Sequence, residues 1–486
     1  MPAAEKRKDF LLVVVLAAGI SLLFLFSLQK PLLWSLPLGV LALTSAWILI
    51  HFKWQYLYFG LMAFLMPFSL ESEITEGVRI FFPTELMLLP AILMLLLEWL
   101  RDPNLFRRIP GKEFRWLLPF ALAFLLSLTF STMPFISFKF SLVNLLYIVV
   151  FFFYLGVLIQ RKTSFFHQLI LLYTLALFAV SLWSVYRFGQ WDWNPVVVRG
   201  IFRPFYKDHT LFAAAGALLG LYWLTRSWRA SGLFPKLAAL IPGLICIALV
   251  LLSNSRAGLL SLVFGAMVFL MLRWHLRPGH LLIGGLVLLT LLYGQRDTLL
   301  KKMQEIKAVS YDSHAGLLDR TRSVGNISTD VSNLERLNRW TAAWGMFRDK
   351  AWTGFGPGTY QFTYLPYQDS AFFNPLTVTN PYDIPENSGG TAHSEYLLAM
   401  SEMGIAGLAG WIIIIGRWTW LAFRRMRGPK RREAVIAYSA LATYFFHAFV
   451  NNFLTTDKFA FLFWGMAAWL ILNATPYEED QFLPAD

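Results

Sequence analysis

Long apolar stretches separated by short polar breaks run through this chain, and one polar interval of near-domain size, residues 295–392, interrupts them. Many of the stretches reach about 18 residues, enough for a helix to cross a bilayer. They predict spans at 10–28, 31–50, 54–70, 84–100, 115–132, 139–159, 165–186, 209–225, 235–252, 257–273 and 279–294, and after the interval at 402–422, 433–450 and 457–473. The pattern therefore predicts an all-α, polytopic integral membrane protein of about 12–14 transmembrane helices with one large helical loop outside the membrane. Its expected organisation is a helical part at 1–294 with a basic loop at 187–208, the large loop at 295–392, C-terminal helices at 393–474 and a tail at 475–486.

Composition agrees with this picture and excludes a soluble domain: 57% of the 486 residues are hydrophobic and 17% aromatic, with a mean hydropathy of +0.54. The formal charge of +13 could point to nucleic acid, but its placement argues otherwise. Arg101 to Arg115 (with Arg107, Arg108 and Lys112), Arg161-Lys162, Arg226 to Lys236, Arg273 to Arg277 and Arg424 to Arg432 fall in alternate loops. The loops between them hold the acidic Glu71 to Glu76, residues 187–208, Ser253 to Arg256, the large loop and Asn451 to Lys458. Lys/Arg enrichment on one side is the positive-inside pattern, which puts both termini in the cytoplasm and the large loop outside. The first span has a basic flank but no small-residue cleavage site, so it reads as a retained helix. The single cysteine, Cys246, allows no intrachain disulfide.

Some cations break that rule. Arg187, Arg199, Arg203 and Lys207 lie in an outer loop, and Arg256 stands in Ser255-Arg256-Ala257-Gly258 at the outer mouth of a span. A bound anion would explain them, and a diphosphate suits the planar, permanently charged guanidinium fork; snorkelling to lipid headgroups is the alternative. In the large loop, Lys301-Lys302 opens a stretch with amphipathic character, and Asn333 to Lys350 has helical spacing that sets Arg336 and Arg339 three residues apart. Gly354-Phe355-Gly356-Pro357-Gly358 forces a turn. The aromatics Tyr360, Phe362, Tyr364 and Tyr367 that follow pack a small lobe or stack on sugars. His393 stands where the loop re-enters the membrane, and an imidazole there can take a proton near neutral pH. His209 and His447 sit near outer span ends too, and His393 with Glu395 shows no third ligand at metal-site spacing.

Four segments together resemble the bacterial O-antigen ligase and O-antigen polymerase superfamily. They are Arg199-Gly200-Ile201-Phe202 through Asp208-His209-Thr210; Ser255-Arg256-Ala257-Gly258; Glu335-Arg336 to Trp340 with Gly354-Phe355-Gly356-Pro357-Gly358; and Ala392-His393-Ser394-Glu395-Tyr396-Leu397 with Glu402-Met403-Gly404-Ile405-Ala406-Gly407. The resemblance covers roughly residues 190–470, and Ala351-Trp352 precedes Thr353-Gly354 where the family commonly has a proline. It implies a membrane-embedded, lipid-dependent glycosyltransferase of the bacterial inner membrane, acting on the periplasmic face without metal or other cofactor. The donor would be a glycan on undecaprenyl diphosphate. The acceptor would be a lipid A-core sugar for a ligase, or another lipid-linked glycan for a polymerase; nucleic acid has no part.

In that reading His393 deprotonates the acceptor hydroxyl, giving inversion, and Arg256 and Arg336 are the principal diphosphate ligands. Arg199, Arg203, Lys207, His209, Arg339 and Tyr396 complete the substrate-binding set. A lipid-linked oligosaccharide flippase is the competing class. Transporters, however, place ionisable groups deep in their spans and often show repeat symmetry, whereas these cations crowd one surface.

Overall fold

The computed structural model describes residues 43–51, 53–75, 78–105, 115–276, 331–374, 377–380, 390–424 and 431–474, with positions 113, 279, 280, 290 and 294. The spans expected at 10–28, 31–42 and 279–294, the Lys301-Lys302 stretch and the tail at 475–486 lie outside the described residues.

The chain is all-α and polytopic. Its helices are α1 (Gln55–Leu65), α2 (Leu88–Arg101), α3 (Leu118–Thr129), α4 (Pro134–Arg161), α5 (Ser164–Gln190) and α6 (His209–Arg229). They continue with α7 (Leu233–Leu252), α8 (Arg256–Arg273), α9 (Val331–Asp349), α10 (Glu395–Arg424), α11 (Arg431–His447) and α12 (Asp457–Ala474). Among the described residues α4, α5, α7, α8 and α10 are long and apolar enough to cross a membrane. Large apolar side chains such as Leu182, Phe234, Val263 and Ile412 point outward, the surface that lipid rather than water accepts.

One element departs from the all-helical expectation. The acidic segment expected as a loop forms an antiparallel hairpin of β1 (Leu70–Thr75) and β2 (Val78–Phe82). The expected helix at 333–350 is α9, and α10 begins at Glu395, ahead of the span expected at 402–422.

Small residues set the helix spacing in the middle of the bundle. A Cβ on Gly216 would stand 3.1 Å from Val250, and one on Gly220 would stand 3.4 Å from Cys246, so α6 and α7 lie backbone to backbone. On α8, a Cβ at Gly265 would come within 2.5 Å of Thr443 on α11. Arg431 donates to the Leu272 carbonyl at 3.1 Å, so α8 and α11 run antiparallel. The start of α8 is therefore level with the end of α11. Buried on nearly every side, α12 forms the centre of the bundle.

Helix α10 is broken at Gly404, whose φ of 62° and ψ of −155° fall outside the helical region. The glycine turn after α9 plugs into this break. Gly356 N–H donates to the Glu402 carbonyl at 2.9 Å, Tyr360 N–H to the Glu402 carboxylate at 3.0 Å, and Ile405 N–H to the Ala351 carbonyl at 2.7 Å. Thr132, between α3 and α4, donates to the Phe355 carbonyl through N–H and hydroxyl. The extramembrane lobe is thus locked into the bundle. Its small core holds Ala342, Met346, Tyr360 and Tyr364, with the two tyrosine rings stacked 5.0 Å apart. Packing, rather than sugar stacking, accounts for those two aromatics.

Candidate functional site

The antiparallel helices give the bundle two unlike ends. One holds Arg161, Arg226, Arg229, Arg273 and Arg431, at the ends or starts of their helices. The other gathers the start of α6, the start of α8, the exposed half of α9, the loop before α10 and the α11–α12 connection. The candidate site is at this second end.

Asp208 caps α6: its carboxylate accepts from Thr210 N–H and from the Thr210 hydroxyl, both at 2.7 Å. His209 follows, with its Nδ1 3.6 Å from the Asp208 carboxylate, and within electrostatic reach of Arg199 and Arg336. Arg336 is half-buried on α9. Burial lowers the pKa of its guanidinium, Asp208 opposes the shift, and the like charge of Arg199 adds to it. Arg336 acts in turn on His447, at the end of α11. Three chain segments far apart in sequence thus place Arg199, Asp208, His209, Arg336 and His447 in one charged cluster.

The corner at His393 adjoins it. Trp340, one helical turn after Arg336, donates its indole N–H to the His393 carbonyl at 3.4 Å. Glu395 N–H and the Ser394 hydroxyl bond the Ala448 carbonyl, next to His447, at 2.9 and 3.2 Å. His393 itself has a φ of +48°, the left-handed region that few residues other than glycine enter and that is found at functional sites. Arg256 is the first residue of α8, after Ser255, which caps the helix by accepting Gly258 N–H at 3.1 Å. A Cβ on Gly258 would lie 2.8 Å from Ala213, so Arg256 stands beside the first turn of α6.

The other expected residues take different places. Lys207 pairs with Glu71 on the hairpin at 3.0 Å. Arg203 is half-buried, and its carbonyl accepts from Arg187 at 2.6 Å and from Trp183 at 3.0 Å. Arg339 is fully buried: it donates to Glu335 at 2.6 Å and to the Thr391 carbonyl at 3.0 Å, and lies 5.4 Å from the Tyr364 ring. It holds the loop that carries His393 rather than facing the cluster. Tyr396 donates to the Phe445 carbonyl at 2.8 Å and packs on Phe449.

Asp208 and Lys458 carry roles that the sequence reading did not assign. Lys458 is buried at the start of α12 and donates to the carbonyls of Ser69 and Phe205 at 2.5 and 2.6 Å, which ties down the loop bearing Arg199 and Arg203. Its neighbour Asp457 is held by Thr84. The available signals were an aspartate at helix-cap position and an Asp-Lys pair opening an apolar run. Glu395 is a second organiser, accepting from Tyr444, Phe453 N–H and Leu454 N–H at 2.5, 2.8 and 2.9 Å. Among the described residues no three His, Cys, Asp or Glu side chains form a metal-binding group.

The fold and the site describe a polytopic membrane protein with an arginine- and histidine-rich cluster at one end of its bundle. Residues 241–412 match the O-antigen ligase family. That match, which includes Arg256, Arg336 and His393, supports the O-antigen ligase and polymerase superfamily, whose members are glycosyltransferase-like enzymes. No curated protein matches the chain.

Proposed function

We propose that the protein is a periplasmic-face O-antigen ligase of the bacterial inner membrane. It transfers a glycan from undecaprenyl diphosphate to a sugar hydroxyl of lipid A-core, with inversion. The observation that carries this reading is the convergence of Arg199, Arg336, His209 and His447 beside the His393 corner, in a chain whose residues 241–412 match the O-antigen ligase family.

Arg256 and Arg336 bind the diphosphate, with Arg199 at the exposed rim. Their cations meet the charge that develops on the leaving group as the glycosidic bond breaks. His393 takes the proton of the acceptor hydroxyl while its oxygen attacks the anomeric carbon. One C–O bond forms, the bond to the diphosphate breaks, and undecaprenyl diphosphate leaves with the electron pair. A positioned base supplies typically about 10²–10⁴-fold in rate. The left-handed backbone at His393, the Trp340 bond to its carbonyl and the bonds of Ser394 and Glu395 to the Ala448 carbonyl support this role by fixing the corner independently of substrate.

The test uses purified protein in detergent, chelator, and an undecaprenyl-diphosphate-linked glycan, with and without lipid A-core. Glycosylated lipid A-core, seen by gel mobility and mass, is the expected product. Longer lipid-linked chains without lipid A-core would make the protein a polymerase. ATP-independent movement of the glycan lipid across a vesicle membrane with no transfer would make it a flippase.

A further inference from the structure

The end of the bundle opposite the site carries a second cationic feature that glycan transfer does not use. Where α6, α8 and α11 meet, Trp228, Arg273, Arg431, Arg432 and Val435 line a cavity of about 150 Å³. Arg273 lies 4.9 Å from the Trp228 ring, which fixes one guanidinium against an apolar wall. Arg431 donates one Nη to the Leu272 carbonyl at 3.1 Å, while its buried Nε meets no acceptor among the described residues. Arg431 also lies within electrostatic reach of both Arg273 and Arg432.

Three guanidinium groups around one cavity repel each other, and among the described residues no carboxylate pairs with any of them. The nearby Glu433 is engaged by Arg229 instead. The first turn of α11 adds its backbone N–H groups and the positive end of its dipole to the same place. Such an arrangement is costly empty and favourable around an anion. Arginine forks match phosphate oxygens, and basic pockets between helix ends at a membrane surface hold lipid headgroups.

We infer that this cavity binds a phosphate group, with Arg273, Arg431 and Arg432 as its ligands and Trp228 and Val435 as its apolar wall. An anionic phospholipid headgroup and free phosphate share this chemistry, and the test separates them. The site is independent of the transfer reaction, so its test needs no substrate.

Native mass spectrometry of the purified chain is run with phosphatidylglycerol, with phosphatidylcholine, and with inorganic phosphate. Saturable binding of one phosphatidylglycerol and not of phosphatidylcholine supports the site and assigns it to lipid. Binding of inorganic phosphate that competes with phosphatidylglycerol supports it and assigns it to a soluble anion. Arg273→Gln with Arg432→Gln should weaken binding by at least about tenfold, from roughly fivefold for each arginine near an anionic surface. Arg432→Gln alone, at an exposed position, serves should the double variant not fold. Lys236→Gln, an exposed cation at the same end of the bundle, should leave binding unchanged. No preference for either anion over phosphatidylcholine, equal retention in Arg432→Gln, or equal loss in Lys236→Gln would overturn the assignment.

Discussion

Trp340 donates its indole N–H to the backbone carbonyl of His393, 53 positions further along the chain, at 3.4 Å. The bond joins the helix that carries Arg336 to the corner that carries the candidate base, and it pins a residue whose φ is +48°. Trp340→Phe keeps most of the packing and removes the donor. One neutral hydrogen bond contributes only about 1 kcal/mol to stability, so the protein should fold. Small misplacements of a reacting group can cost up to about 10²-fold, and we expect the transfer rate to fall about tenfold with little change in donor KM. Single-turnover kinetics checks this, and an unchanged rate would mean that the corner is held elsewhere.

Arg336 and Arg199 should respond differently to the same substitution. Arg336 is half-buried between Asp208 and His447, whereas Arg199 is exposed at the rim. Losing a donor aimed at developing charge in a water-poor site costs about 10²–10³-fold in rate. Arg336→Gln should fall in that range. Arg199→Gln should raise donor KM and leave kcat nearly intact. Arg336→Lys tests the fork: it keeps the charge but cannot bond in bidentate fashion, and it should recover only part of the activity. Equal effects at both positions in a steady-state assay would remove the distinction.

Arg339 shows how much of this was legible in the sequence, and where legibility stopped. The apolar runs marked the helices because a bilayer demands their length, and α5, α7 and α8 lie where those runs predict. Arg256, Arg336 and His393 stood out as cations and an imidazole on the side that should lack them, within the segments that carry the family resemblance. Arg339 shares its charge and its neighbourhood with Arg336, but its partner is Glu335, four residues back on the same helix. That spacing was visible and marks a helical ion pair. His447 and Lys458 were obscure for another reason. Their partners, Arg336 and the carbonyls of Ser69 and Phe205, lie so far away in sequence that only tertiary packing pairs them. The hairpin was hidden by Glu71, Glu73 and Glu76, which gave it the composition of a loop.

The Arg339–Glu335 pair predicts a stability effect in place of a catalytic one. Arg339 is 0% exposed and Glu335 4%. Arg339→Met strands a buried carboxylate, and breaking one partner of a buried pair costs about 3–5 kcal/mol. Replacing both partners by apolar groups is often close to neutral. Arg339→Met should therefore melt well below the wild type in detergent, and Arg339→Met with Glu335→Leu should recover much of the loss. A single variant that folds normally but loses donor affinity would return Arg339 to the substrate-binding set.

Gly404 holds a backbone conformation that side chains cannot adopt. Its φ of 62° with ψ of −155° lies in a region essentially reserved for glycine. A Cβ there would stand 2.6 Å from the carbonyl oxygens of Ala351 and Trp352. Those carbonyls belong to the turn that locks the lobe into α10, so neither side can yield cheaply. Gly404→Ala should cost at least about 1–3 kcal/mol from the backbone alone, with the overlap added. The expected result is poor accumulation and aggregation in size-exclusion chromatography; Gly416→Ala, on the same helix with open space around it, should behave as wild type.

Lys458 predicts that the basic loop is positioned from the centre of the bundle. Its ammonium is buried and bonds two carbonyls, one beside the hairpin and one in the loop that carries Arg199, Arg203 and Lys207. Lys458→Met would fill most of the same space, because the stem of the side chain is apolar. It would also leave both carbonyls without their donor, at a cost of about 1–3 kcal/mol for each unsatisfied buried group. Asp457 loses its charged neighbour but keeps Thr84. The loop should then sample other positions, and the arginines it carries should meet the diphosphate less often. Donor KM should rise about tenfold while kcat, which the proposed mechanism assigns to the His393 corner, changes little. Limited proteolysis within residues 195–208 should accelerate in parallel. A Lys458→Met protein with normal donor KM and normal cleavage would show that Arg187 and Trp183, which also hold the Arg203 carbonyl, fix the loop without it.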